Sequence, residues 1–186
     1  TRASPRCAPS SSRSSSALSP LLRPYLKRRA VKGKEDLARL DERFGHADRP
    51  RPEGKLIWLH GASVGETLSA LPLLRALLDA NPDAHALFTS GTVTSASLLA
   101  ERLPKRAFHQ FMPLDQPAAI KRFLAHWKPD LALWIESELW PNTLEAVREA
   151  RIPAALVNAR LSEKSFAQWK RTRGLSERML SAFSLA

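Results

Sequence analysis

From Lys55 onward the chain alternates between two hydrophobic periods. Mostly apolar runs of strand length occur at LIWL (56–59), HALFTS (85–90), AFHQFM (107–112), LALWIE (131–136) and AALVN (154–158). Between them, apolar residues recur three and four positions apart over 64–80, 93–103, 116–127 and 142–151, and a fifth helical stretch runs from Ser162 to Leu180. Strands separated by helices of ten or more residues pair in parallel through right-handed crossovers. The pattern predicts an α/β fold, a Rossmann-like parallel sheet with flanking helices. Pro72, inside the 64–80 pattern, removes a helical hydrogen bond and predicts a kink near Leu68. Ser181–Ala186 resembles the start of a further strand.

The pattern is different before Lys55. Residues 1–17 are Ser- and Arg-rich, too polar to supply the apolar middle of a secretory signal, and read as a disordered or non-native leader. Residues 18–34 (LSPLLRPYLKRRAVKGK) form a short apolar patch broken by Pro20 and Pro24 and followed by cations. Glu35–Phe44 has an amphipathic helical pattern stopped by Gly45, and 46–54 is a Pro- and charge-rich linker. The expected organisation is therefore a leader (1–17), a basic arm with a short helix and linker (18–54), and a Rossmann-like domain (55–186).

Charge sharpens the division. The formal charge is +11, yet residues 1–55 hold 14 Lys/Arg against 6 Asp/Glu while 56–186 hold 15 against 12. A basic arm on a nearly balanced domain suits an anionic surface. It is either a solvated, frayed segment or, over residues 18–34, one lying against anionic lipid headgroups; nucleic acid is the least favoured partner. The single cysteine, Cys7, excludes a disulfide framework and a Cys-based metal site, and fits a reducing compartment. No run approaches the roughly 18 to 20 apolar residues needed to span a bilayer.

In a parallel sheet the turns after the strands share one edge, where ligands bind. Those turns carry His60, Ser63, Gly65 and Glu66; Ser90, Gly91, Thr92 and Thr94; Pro113 and Asp115; Glu136, Ser137 and Glu138; and Asn158, Arg160 and Ser162. The crevice is rich in hydroxyls and carboxylates, and its histidines lack metal-ligand spacing. Glu66 has two readings. Ser63-x-x-Glu66 is a capping-box spacing, in which the Ser63 hydroxyl accepts from the Glu66 N–H and the carboxylate reaches back to the Ser63 N–H; the same carboxylate at a strand's C-terminal edge is a candidate base. Glu136 or Glu138 could be its neighbour. Gly61-Ala62-Ser63-Val64-Gly65 also matches the nucleophile-elbow pattern of serine hydrolases, but no histidine follows late enough to complete a triad. There is neither a dinucleotide fingerprint nor a P-loop. Trp134, Trp140 and Trp169 fit either a core or a sugar-binding rim. Arg160 is either a surface charge or an anion contact, and Asn158 reads as a strand terminator.

Five separated words, in order, sharpen the reading: WLHGASVGE (58–66), TSGTVTS (89–95), PLD (113–115), PDLALWIESELWPN (129–142) and VNARLSEKS (157–165), with GKEDLARLDERFG (33–45) ahead of them. Over about residues 18–186 the chain resembles the 3-deoxy-D-manno-octulosonic acid (Kdo) transferases of lipopolysaccharide biosynthesis. The resemblance implies the N-terminal, acceptor-binding half of a two-domain GT-B glycosyltransferase, inverting and metal-independent, with no cofactor beyond the donor substrate CMP-Kdo. It implies transfer of Kdo to the 6′-hydroxyl of a lipid A precursor at the cytoplasmic face of the bacterial inner membrane. It also implies Glu66 as general base, with Glu136 or Glu138 in the same site and His60, Ser63, Gly65, Ser90, Thr92, Asn158 and Arg160 lining it. A polar leader where the family carries an apolar anchor, and no second Rossmann domain to hold CMP-Kdo, lead to the expectation that this chain alone turns over little or not at all. The competing expectation is a non-catalytic Rossmann-like module that binds anionic lipid or nucleic acid through its arm.

Overall fold

The computed structural model describes residues 19–135, 139–159 and 173–185. Five parallel strands, β1 (Lys55–His60), β2 (Ala84–Ser90), β3 (Ala107–Phe111), β4 (Leu131–Ile135) and β5 (Ala154–Val157), form one sheet in the order β3-β2-β1-β4-β5. The connecting helices are α2 (Val64–Ala80), α3 (Val93–Arg102), α4 (Pro117–Trp127) and α5 (Pro141–Glu149), with α6 (Arg173–Leu180) after β5. The fold is thus α/β and Rossmann-like, as the alternation of periods required. Prolines at the first helical position open α4 and α5, where the missing N–H costs nothing.

The strand period of two sorts the core. Leu56, Trp58, Leu87, Ala132 and Trp134 face α4, α5 and α6, packing on Ile120, Phe123, Trp127, Leu144, Val147 and Met179. Ile57, Leu59, Ala86, Phe88 and Leu133 face the other way, against Leu71, Leu74, Leu78 and Leu99 of α2 and α3. Strands covered on both faces read as near-continuous apolar runs, which is why their bounds were clear.

Two features differ from expectation. Residues 19–31 are not a frayed arm: they form helix α1 (Ser19–Val31), with Pro20 and Pro24 accommodated and Leu26 buried against Leu40 and Phe44. Only Leu40–Phe44 of the expected 35–44 helix is regular, as a 3-10 turn. Its polar side chains are drawn into tertiary bonds: Glu35 pairs with Arg29 and Arg43, and Glu42 with Arg39. The α2 helix runs from Val64 to Ala80 without a break through Pro72, with Leu68 on its solvent side. At the chain's far end, Leu185 forms an isolated parallel bridge with Ala155, the one strand-like contact of the 181–185 stretch.

Strand order decides where the site lies. β2 and β3 extend to one side of β1, and β4 and β5 to the other, so the topological switch falls between β1 and β4. The crevice of an open parallel sheet opens there, outside the strands' C-terminal ends. The turn after β1 is one wall, and the residues after Ile135 continue from the other strand.

Candidate active site

The turn from β1 into α2 holds Glu66 in one orientation. Ser63, in extended conformation, is the N-cap; its Oγ accepts from the Glu66 N–H at 3.2 Å and donates to Glu66 Oε1 at 2.8 Å. Oε2 accepts the Ala62 N–H at 2.7 Å. The capping box is therefore present with one change: the carboxylate reaches the amide one residue before the cap, rather than that of Ser63 itself. Two charge-assisted hydrogen bonds at the N-terminus of a 17-residue helix favour an anion there. The side chain stays partly exposed. Gly61 packs closely where it stands: a Cβ would lie 3.4 Å from both the Glu66 Cβ and the Phe88 ring. Gly65 is exposed, and a Cβ on it would meet only Ser63 Oγ, at 3.9 Å.

The next turn lies alongside, since a Cβ on Gly91 would come within 4.0 Å of the Ala62 carbonyl oxygen. Thr92 caps α3, accepting from the Ser95 N–H at 3.1 Å and donating to Ser95 Oγ at 2.8 Å, and it is exposed. Ser63, Gly65, Glu66 and Thr92 thus share an accessible rim.

Two residues expected on the rim lie beneath it. His60 is buried, its Nδ1 3.0 Å from Thr89 Oγ1, and its pKa is pushed down to about 4, first by burial and then by the charge of Arg43. Among the described residues its Nε2 has no hydrogen-bond partner, nor do the buried indole nitrogens of Trp134 and Trp140. Ser90 is also buried, with its Oγ 2.9 Å from His109 Nε2. His109 Nδ1 in turn faces the Arg39 guanidinium at 3.0 Å, and burial, then that charge, lower its pKa to about 3. Because Arg39 can only donate, His109 Nδ1 is the acceptor, and Nε2 carries the proton offered to Ser90.

Trp134 is fully buried, stacked edge-on to Trp58 at 4.8 Å, and Trp140 packs partly buried against the same cluster, so both belong to the core rather than to a sugar-binding rim. Asn158 follows β5 as an exposed residue with φ of 54°, the left-handed conformation of a strand terminator. Glu136, Glu138, Arg160 and Trp169 lie outside the described residues. Among the described residues there is no group of three side chains able to hold a metal ion.

Asp115 stands in a crevice turn but is committed elsewhere. Its Oδ1 accepts from the Thr143 N–H and hydroxyl, both at 2.8 Å, and its Oδ2 from the Asn142 N–H at 3.1 Å. It caps α5 from another loop. The signal was available in the sequence: Trp140, at the N-cap of α5, has no side chain that can accept such a bond. The residue that sequence reasoning missed outright is Thr89, which reads as an ordinary buried strand residue and yet bonds both Trp58 and His60.

Residues 38–186 match the family model of the 3-deoxy-D-manno-octulosonic-acid transferases. The chain is 42% identical over 170 residues to a probable mitochondrial 3-deoxy-D-manno-octulosonic acid transferase of Arabidopsis thaliana, covering 90% of this chain and 38% of that one. It is 44% identical over 157 residues to the 3-deoxy-D-manno-octulosonic acid transferase of Rickettsia bellii (84% and 37% covered), and 35% identical over 169 residues to that of Haemophilus influenzae (89% and 39%). The chain spans well under half the length of these relatives. On the family match across most of its length, with the motifs of the β1–α2 turn in place, the chain belongs to the Kdo transferase family.

Proposed function

We propose that this chain is the acceptor-side half of an inverting, metal-independent GT-B glycosyltransferase that moves Kdo from CMP-Kdo to the 6′-hydroxyl of a lipid A precursor, with Glu66 as general base. The observation that carries the reading is the Glu66 carboxylate, held by the Ala62 N–H and the Ser63 hydroxyl at the mouth of the crevice beside the switch point. A sugar hydroxyl attacking an anomeric carbon must give up its proton, and a fixed carboxylate within about 3 Å can take it. Both bonds to Glu66 leave each oxygen a further lone pair, so the carboxylate can accept without breaking its anchorage.

The residues after β4, which include Glu136 and Glu138, follow the strand next to β1 in the sheet and are the source of a second carboxylate. CMP-Kdo would be held mainly by chain length that the relatives have and this chain does not span. Helix α1 would dock on the anionic cytoplasmic face of the membrane that carries the acceptor. Among the described residues no helix is long and apolar enough to cross a membrane.

The test is Glu66→Gln in a polypeptide of the relatives' full length. Glutamine keeps the shape and the contact to Ala62 but cannot take a proton. The expected outcome is a fall of at least 100-fold in kcat for Kdo transfer to a lipid A precursor, with acceptor KM changed little. Transfer near the wild-type rate would refute the assignment of the base.

A further inference from the structure

Four contacts converge on Thr89, which is fully buried and pairs in register with His60. The Trp58 indole N–H donates to its Oγ1 at 2.9 Å, and His60 Nδ1 lies 3.0 Å from the same oxygen. The hydroxyl donates to the Leu59 carbonyl at 3.3 Å, and the Thr89 carbonyl accepts the Gly61 N–H at 3.1 Å. A hydroxyl has one hydrogen; with it on Leu59, the network assigns the His60 proton to Nδ1. One side chain therefore ties down residues 58, 59 and 60, and its backbone ties down 61. The next amide along the chain is that of Ala62, which donates to Glu66 Oε2.

We propose that Thr89 is a positioning residue for Glu66: its hydroxyl and carbonyl fix the end of β1 and Gly61 so that the Ala62 amide is presented to the carboxylate. The Ser63 hydroxyl is a rotor and can follow a displaced carboxylate, whereas the direction of the Ala62 N–H is set by the backbone that Thr89 holds. Gly61 packs between the Phe88 ring and the Glu66 side chain, a Cβ there lying 3.4 Å from each, so a shift of the strand end is passed to the Glu66 side chain. The proposal rests on the reading of Glu66 as the base, but its structural half is measurable without turnover.

Thr89→Val keeps the volume and removes the hydroxyl, leaving Trp58 Nε1 and His60 Nδ1 without their acceptor. Thr89→Ser restores the oxygen. The first measurement is amide hydrogen exchange in the 186-residue chain, with Ile120 in α4 as the reference. Ala62 protection is expected to fall at least tenfold more than that of Ile120 in Thr89→Val, and to stay at the wild-type level in Thr89→Ser. Equal falls at the two sites would overturn the proposal. Should Thr89→Val fail to fold, His60→Phe, which keeps an aromatic ring against Trp134, removes one of the contacts; the expected loss at Ala62 is about threefold, and no loss overturns the proposal. In the full-length polypeptide, Thr89→Val is expected to lower kcat about tenfold with KM within twofold, and Thr89→Ser to rescue it. If Glu66→Gln retains transfer, the base reading fails while the exchange result stands. If Glu66→Gln is inactive and Thr89→Val turns over normally, the positioning role fails and the base reading stands.

Discussion

Two histidines, His60 buried and His109 half-buried, bind the molecule's stability to pH. His60 and His109 are neutral in the folded chain, with pKa values lowered to about 4 and about 3, chiefly by burial. Unfolding returns each to an ordinary value of about 6.5, so below that pH the unfolded state binds more protons than the folded one. Their contribution is fully present above about pH 6.5 and is lost as the pH falls toward the folded values. Between pH 7 and pH 5 each histidine withdraws about 2 kcal/mol. His109→Gln can keep an acceptor for Arg39 and a donor for Ser90 without titrating. Its unfolding free energy, measured in denaturant at the two pH values, is expected to drop about 2 kcal/mol less than that of the wild type over this interval. A slope identical to the wild type's would show that His109 takes up a proton as readily in the folded chain as in the unfolded one. His60 and Ser90 explain a gap in the sequence reading: His60 continues the Leu56 and Trp58 face, and Ser90 the Ala86 and Phe88 face, so both point into the core although they stand at the strands' exits. Reading the turns as a roster of exposed residues ignores that period of two, which runs through the last residue of a strand.

At the scale of elements, the ends of β3 and α5 are held by side chains from elsewhere in the chain. The Phe111 N–H donates to Glu42 Oε2 at 2.7 Å, Arg43 donates to the Met112 carbonyl, and the Leu114 N–H bonds the Arg43 carbonyl at 2.8 Å, so the 3-10 turn at 40–44 covers the edge of β3. Gly45 ends that turn at φ of 82° against Ala119, whose carbonyl oxygen would lie 2.0 Å from any Cβ, which leaves glycine as the only residue that fits. Asp115 does the same service for α5. Replacing it with alanine leaves the Asn142 and Thr143 amides without acceptors and is expected to cost about 1 to 2 kcal/mol in denaturant unfolding. Exchange should speed up first at those two amides, and a loss spread evenly over the molecule would mean that Asp115 acts otherwise than as a cap. These contacts set the limit of what the sequence could tell. Helix α2 was legible over 64–80 because its cap is local, Ser63 with Glu66; the 35–44 stretch was not, because Arg39 and Glu42 spend their side chains on β3 and Arg43 on Met112 just beyond it, and such long-range bonds override a helical pattern. Strand order was illegible for a related reason: alternation requires parallel strands but is the same for every order, so the switch between β1 and β4 had to be seen.

For the whole molecule, the placement of α1 gives the charge asymmetry a direction. Leu26 is the helix's buried anchor, and Leu22 and Leu114 pack around the same small cluster. Leu114 lies in the connection that leaves the C-terminal end of β3, so α1 flanks the sheet edge that carries Glu66 rather than the opposite one. Its outward surface combines exposed Leu21, Tyr25 and Val31 with exposed Lys27 and Arg28, and exposed Lys32 and Lys34 follow. Arg23 and Arg29 are already paired, with Asp41 and Glu35. Four cations near an anionic surface are worth about 1 kcal/mol each, and the apolar side chains between them can enter the headgroup layer. On the proposed function, the arrangement would turn the crevice toward the membrane surface. The chain is expected to cosediment with phosphatidylglycerol-containing vesicles at 0.1 M salt, and to be released at about 0.5 M, where the screening length is about half as long. The double variant Lys27→Glu/Arg28→Glu should weaken binding at least tenfold while leaving the unfolding free energy within about 0.5 kcal/mol, because both side chains are exposed. Equal binding to neutral phosphatidylcholine vesicles, or binding indifferent to the double variant, would remove the membrane role from α1 and leave it only the task of holding the 3-10 turn against β3.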